Sequence, residues 1–192
     1  PTDKGGHLHT PSSKMLELCS PLHPIVFNDL FCLNNKNVHT ISIGAAKEED
    51  FDLHLEAVSL LPESEKYISH ILKRLRQESI QCLGLEWIQS WHRNLPIWQN
   101  TPGNINIPIL LWLSNLMEYL DLEGYARARY KLLGNGSHWF PGNNANSIDV
   151  DVSESQLLKV LEGHIKPMKV IKKLRILKEK FGEGTIQRLS ES

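Results

Sequence analysis

One stretch, residues 38–55 (VHTISIGAAKEEDFDLHL), constrains the fold more than any other part of the chain. Its first six residues are mostly β-branched and apolar, which predicts a β-strand. The strand is interrupted at residues 44–46 (GAA), and a helix with acidic side chains in its first turn is expected to follow. That helix would carry Phe51, Leu55 and Val58 on one face. A strand that ends at a glycine and leads into a helix is one half of a parallel β/α unit, so we expect an α/β fold.

Two interpretations of this stretch are open on its spacing alone. The unpaired N–H groups at the start of the helix could hold a phosphate or pyrophosphate group. The alternative is an ordinary connection between a strand and a helix with no ligand, because such units occur throughout α/β proteins.

The rest of the sequence is predominantly helical in its pattern. The spacing of apolar residues, with capping residues and helix-ending glycine or proline, predicts helices at residues 14–19, 25–33, 66–83, 109–120 and 123–133. We therefore expect a β/α domain at residues 1–60 and a helical domain at residues 61–192. Because the chain begins at Pro1, without a methionine, we also expect it to be the C-terminal part of a longer protein.

Charge and residue spacing argue against several classes of function. A net charge of −1 gives no reason to expect nucleic-acid binding. The basic residues at 166–180 predict a solvated helix face, with a nucleic-acid or membrane patch as the alternative. No apolar run approaches the roughly 20 residues of a membrane span, and we expect no signal peptide. Three widely spaced cysteines fit a cytoplasmic location, and the histidine spacing predicts no metal site.

Several segments together resemble the aldo/keto reductase family. Residues 1–8 (PTDKGGHL) resemble the loop after the family's seventh strand. Residues 24–33 (PIVFNDLFCL) and 38–45 (VHTISIGA) resemble its seventh helix and eighth strand. Residues 104–116 (NINIPILLWLSNL), with EGYARARYKLL after them, resemble the ferredoxin-like C-terminal extension of a bacterial subgroup. The LLGNGSHWFPGNNA segment at 132–145 is similar to one cyanobacterial branch of that subgroup.

This resemblance implies a fold and an activity. The implied fold is the C-terminal fragment of a (β/α)8 TIM barrel, followed by a mainly α-helical ferredoxin-like extension. The implied activity is reduction of a small carbonyl substrate by NADP(H) or NAD(H). A complete barrel takes roughly 250 residues, and the family's catalytic residues lie in its first half. The chain would therefore contribute the side of the site that binds the adenine half of the cofactor, but no catalytic residue.

The resemblance also assigns cofactor-binding positions, one residue at a time. These positions are Thr2, Lys4, Gly44, Ala45, Ala46, Lys47, Asp50 and His54. Gly44 and Ala45 replace the family's phosphate-binding Lys and Ser, and Asp50 replaces an Arg that usually stacks on adenine or pairs with the 2′-phosphate. Lys47 is the substitute phosphate partner that the sequence offers. The first-turn carboxylates have another explanation, since acidic residues there stabilise the helix itself.

The iron–sulfur positions of the extension are also replaced. The family's first cysteine run falls on His92, Leu95, Trp98 and Thr101, and residues 134–145 contain no cysteine either. Because iron–sulfur clusters need thiolates, we predict no cluster. The vacated space would have to be packed by apolar side chains, and the candidates are Trp91, Trp98, Trp112 and Trp139.

Two functions are therefore compared. The first is the C-terminal portion of an aldo/keto reductase-like oxidoreductase. The alternative is a non-catalytic helical interaction module derived from that family. The apolar faces between residues 25 and 58 need a cover, so a chain without one is expected to associate through its exposed barrel surface.

Overall fold

The structure, a computed structural model, describes residues 7–45, 47–135 and 141–182. Helices account for 67% of it and strand for 2%, and the described residues contain no β-sheet. No helix in these ranges is long and apolar enough to cross a membrane. The architecture is therefore mainly helical.

The expected α/β fold is wrong. Residues 38–43 form no strand, and the whole of 38–45 is irregular. The β-pairing in the described ranges consists of isolated bridges, Ile105 with Asn143 and Ile148 with Val152. A single β-prone segment cannot form a sheet, because each strand needs a partner for its backbone hydrogen bonds. A TIM-barrel fragment followed by a ferredoxin-like extension is accordingly not what this chain forms.

The chain divides into two compact units. Among the described residues, unit 1 comprises those up to residue 80, and unit 2 comprises those from residue 81 onwards. The domain boundary expected after residue 60 was placed where the resemblance to the aldo/keto reductase barrel ends. That boundary stays a prediction.

The described part of unit 1 contains the α-helices α1 (Ser13–Cys19), α2 (Pro24–Leu33), α3 (Asp52–Leu60) and α4 (Ser64–Leu83), the last of which belongs to this unit as far as Ile80. The Ser12 hydroxyl caps α1 by accepting from the Met15 N–H at 3.1 Å. His23 caps α2 in the same way, and Pro24 fixes the first turn. Helix α2 packs on α3, and Leu30, Ala57 and other buried apolar residues form the core.

Unit 2 contains α5 (Leu85–Ser90), α6 (Ile107–Leu120), α7 (Glu123–Leu132), α8 (Glu154–Val160) and α9 (Pro167–Phe181). Asn106 caps α6, and Ser153 with Gln156 forms a capping box at the start of α8. Helix α6 packs against both α7 and α9. Their buried faces form one apolar core that includes Leu110, Tyr130 and Leu174.

Candidate functional site

The predicted cofactor-binding residues do not share one environment in the structure. Thr2, Lys4 and Ala46 lie outside the described residues. Gly44 and Ala45 are half-buried in irregular chain, and Lys47 is exposed, with its Nζ atom 3.9 Å from the Glu49 carboxylate. The remaining two, Asp50 and His54, turn towards the interior of unit 1.

Asp50 is buried and makes local contacts. It lies in the short 3₁₀ turn Glu48–Phe51 that precedes α3. One carboxylate oxygen accepts from the Lys47 backbone N–H at 3.2 Å, and the other lies 3.6 Å from Nδ1 of His9. The carboxylate thus caps the turn, which is the local role that acidic residues have at a helix start.

His54 is held by a carboxylate on the neighbouring helix. Its Nδ1 atom donates a short hydrogen bond to Asp29, which is only 3% exposed and also accepts from the Asn28 side chain at 3.3 Å. Its Nε2 atom is buried and has no hydrogen-bond partner among the described residues. The His9 and His54 rings meet edge to face, with centroids 5.9 Å apart. We call His9, Asp29, Asp50 and His54 the histidine–aspartate cluster.

A third histidine next to the cluster stays neutral more readily than usual. Burial lowers the pKa of His23, and the neighbouring His9 acts in the same direction. A neutral ring can accept a hydrogen bond, as His23 does from the Ile25 N–H at 3.2 Å.

The chemistry open to the cluster is limited. A carboxylate that fixes Nδ1–H leaves Nε2 as the proton-accepting atom, an arrangement that general bases use. Here, however, Nε2 is buried. The described residues also contain no group of three or more His, Cys, Asp or Glu side chains placed to hold a metal ion. The clear consequence of the cluster is structural, because it fixes α3 on α2 and so determines which side of α3 faces out.

The outward side of α3 and its entry turn carries three large apolar residues. Phe51, Leu55 and Val58 are 47%, 65% and 56% exposed, at the i, i+4, i+7 spacing of one helix face. The exposed charged residues between positions 48 and 60 are all acidic: Glu48, Glu49, Asp52 and Glu56. We call this combined surface the α3 face. It is an apolar stripe with carboxylates and no lysine or arginine within residues 48–60.

The residues on which the resemblance places the iron–sulfur cysteines lie in unit 2, in a stretch of turns, irregular chain and a short 3₁₀ helix. Thr101 is buried, and its hydroxyl lies 2.7 Å from the Trp98 carbonyl oxygen and 2.8 Å from that of Ile105. His92 is exposed and stacks edge to face on Trp91. The absence of a cluster stays a prediction.

The sequence analysis named four tryptophans as packing residues but omitted the most deeply buried tryptophan among the described residues. Trp91 and Trp112 are half-buried against the core, Trp98 is half-buried beside Gly142, and Trp139 lies outside the described residues. The tryptophan at the centre is Trp87, which is 1% exposed and donates from Nε1 to the Asn115 side-chain oxygen at 2.9 Å. The signal for it was the four-residue spacing of Trp87 and Trp91, which puts the two rings on one face of a helical turn.

Sequence reasoning also missed Asp29. The signal was a lone carboxylate in the apolar helix 25–33, since a charge on a buried face needs a partner.

Comparisons with known proteins add no relative. No protein-family model matches the chain, and no match is found among curated proteins or solved structures. The resemblance to aldo/keto reductases therefore stays a prediction.

Proposed function

We propose that this chain is a helical protein-interaction module whose α3 face binds a basic amphipathic helix of a partner protein. The observation that carries the proposal is the exposure of Phe51, Leu55 and Val58 on one side of a helix. Single exposed apolar residues are normal, but a contiguous stripe at helical spacing is typical of a binding surface.

The energetics favour apolar anchoring. Full burial of a large apolar side chain contributes roughly 1.5–3 kcal/mol, and the α3 face offers three that are about half exposed. The hydrogen bond between His54 and Asp29 fixes the inner side of the same helix. A helix fixed in this way loses little conformational entropy on binding, which raises affinity.

The charge pattern selects the partner's chemistry. Four carboxylates accompany the stripe, so a partner with lysine or arginine beside its apolar residues is complementary. A second copy of this chain docked through the same face would instead bring like charges together. The proposed interaction is therefore with a different protein, and it should weaken at high salt.

Binding of a labelled model peptide tests the proposal. The probe is an amphipathic helix of about 18 residues, five turns, with leucine on one face and lysine on the other. Fluorescence anisotropy should report saturable binding, and the variant Leu55→Gln should weaken it about tenfold, the effect of losing ~1.4 kcal/mol. Gln is a good helix former, so α3 should persist in the variant.

The matched control removes an equally exposed apolar side chain elsewhere. Val150 in unit 2 is 72% exposed, and Val150→Gln should leave the affinity unchanged. A second peptide with glutamate in place of lysine should bind much more weakly. Equal binding of the two peptides, or an equal loss in the two variants, would contradict the proposal.

A second candidate is the nicotinamide-dependent oxidoreductase that the sequence suggests. The observation that favours it is the exposed Lys47 amine, whose nearest carboxylate contact is at 3.9 Å. Lys47 follows Gly44 and Ala45, which can offer a phosphate only backbone N–H groups. The burial of Asp50 takes that carboxylate away from an approaching phosphate. The test is titration of NADPH followed by its fluorescence. Lys47→Ala should weaken binding and Lys36→Ala, at another exposed lysine, should not.

A further inference from the structure

A pocket of about 480 Å³ lies on α4 in unit 1, away from the α3 residues discussed above. The polar side chains that line it come from successive turns of α4, and the turn after α1 closes one end. The principal lining residues are Ser20, Lys66, Tyr67, His70, Lys73 and Arg74. A cavity of this size is in the range of small-molecule sites.

The pocket lining is cationic. Lys66 is paired with Glu63, but Lys73 and Arg74 have no carboxylate partner among the described residues. Asp and Glu are absent from the lining. Two neighbouring cations without a counter-charge raise each other's free energy, and an anion in the pocket would offset that cost.

Arg74 is anchored through one nitrogen of its guanidinium, and other N–H groups of the same side chain have no acceptor among the described residues. One terminal nitrogen donates to the Ser20 carbonyl oxygen, which fixes the guanidinium at the pocket wall. Its Nε atom is buried and lacks an acceptor, so the donor left for a ligand is the other terminal nitrogen, which makes no hydrogen bond among the described residues. A planar guanidinium with spare N–H groups, next to a flexible lysine, is the combination that proteins use for oxyanions with several acceptor atoms.

We propose that this pocket binds the phosphate group of a small phosphorylated molecule. A phosphate monoester carries nearly two negative charges and three acceptor oxygens at neutral pH, enough to engage Lys73 and Arg74 together. A carboxylate has one charge and would leave one cation uncompensated. The volume exceeds that of a single phosphate group, so the ligand carries an organic part that lies along Tyr67.

The experiment is calorimetric titration of the whole chain with inorganic pyrophosphate and with glycerol 3-phosphate. Ionic strength is held at about 0.15 M, where the screening length is ~8 Å and weak surface attraction is suppressed. Both probes should bind with one site per chain. Arg74→Gln should weaken binding about tenfold, as expected when one charge-assisted contact is lost.

Two further variants separate a built site from general charge and from misfolding. Arg76→Gln removes the same charge from an exposed position on α4 outside the pocket, and it should have no effect. Lys73→Gln removes an exposed side chain with no bond to the rest of the described protein, so it should fold normally and still weaken binding severalfold. An equal loss in Arg76→Gln, or unchanged binding in Lys73→Gln, would overturn the proposal.

A vesicle-binding experiment distinguishes a small soluble phosphate compound from the phosphate headgroup of a lipid. Co-sedimentation with vesicles containing phosphatidic acid should show no retention of the chain. Retention on vesicles without binding of glycerol 3-phosphate would overturn the assignment to a small soluble molecule. If neither pyrophosphate nor glycerol 3-phosphate binds, the site itself is overturned.

Discussion

At the scale of single residues, the most informative contact is the one between His54 and Asp29. A carboxylate that is 3% exposed is stable only if its oxygens accept hydrogen bonds, and His54 and Asn28 supply them. The pair joins positions 25 residues apart on two helices. Its loss should therefore be felt in folding as well as in the orientation of α3.

Asp29→Asn should destabilise unit 1 by about 1–3 kcal/mol, because the charge-assisted bond is lost and polar atoms remain buried. Urea unfolding followed by circular dichroism measures the change. Asp52→Asn is the control: Asp52 is exposed in the first turn of α3, and its loss should cost less than about 1 kcal/mol. Equal effects of the two substitutions would show that the Asp29 contact contributes nothing beyond a surface charge.

Residue patterns identified His54 and Asp50 as special, but for a different reason. Their positions in a family-like segment suggested cofactor contacts, whereas the structure gives both of them partners within the protein. A periodic pattern identifies the buried face of a helix and not the side chain that meets it from another helix. The partners Asp29 and His9 could not be read from spacing for that reason.

At the scale of secondary structure, the helices were predicted well and the strand was wrong. The predicted helix at 66–83 is α4 (Ser64–Leu83), and those at 109–120 and 123–133 are α6 and α7 with ends shifted by one or two residues. Helices are recognisable because their hydrogen bonds are local. Residues 38–43 have a β-prone composition, but a strand depends on a partner that a local pattern does not reveal.

The contact between α6 and α9 contains an ion pair whose two members are buried to different extents, so removing one member should cost more than removing the other. Lys173 on α9 is buried, and its ammonium group pairs with Glu118 on α6 and lies 5.3 Å from the centre of the Trp87 ring. Burial lowers the pKa of Lys173, although the Glu118 carboxylate acts in the opposite direction. Glu118 itself is 35% exposed, so solvent can hydrate it when it is unpaired.

Glu118→Gln should destabilise unit 2 by about 1–3 kcal/mol, because it leaves a buried ammonium group without its counter-charge. Lys173→Met should cost less, since it removes the buried charge and keeps much of the side-chain volume. Denaturant unfolding monitored by tryptophan fluorescence compares the two. Glu179→Gln, at an exposed position of α9, should be neutral. The reverse order of the two main variants would mean that the pair stabilises through Glu118 and not through the burial of Lys173.

At the scale of the whole molecule, tryptophan fluorescence distinguishes the two units, and the core around Trp87 belongs to unit 2. All tryptophans of the chain follow residue 81: Trp87, Trp91, Trp98, Trp112 and Trp139. The apolar core around Trp87 is made of residues between Leu83 and Phe181. Residues 81–187 therefore have the buried apolar surface that a domain of about 100 residues needs to fold.

A fragment of residues 81–187 should fold independently and unfold in one cooperative transition. Its tryptophan emission and its urea midpoint should match those of the whole chain measured by the same signal, because the core is contained within the fragment. A red-shifted emission with a broad transition would instead mean that this core needs residues from outside its own unit. The fragment with Leu110→Ala, which truncates a fully buried side chain, is the control. It should lose about 2–5 kcal/mol, confirming that the transition reports on this core.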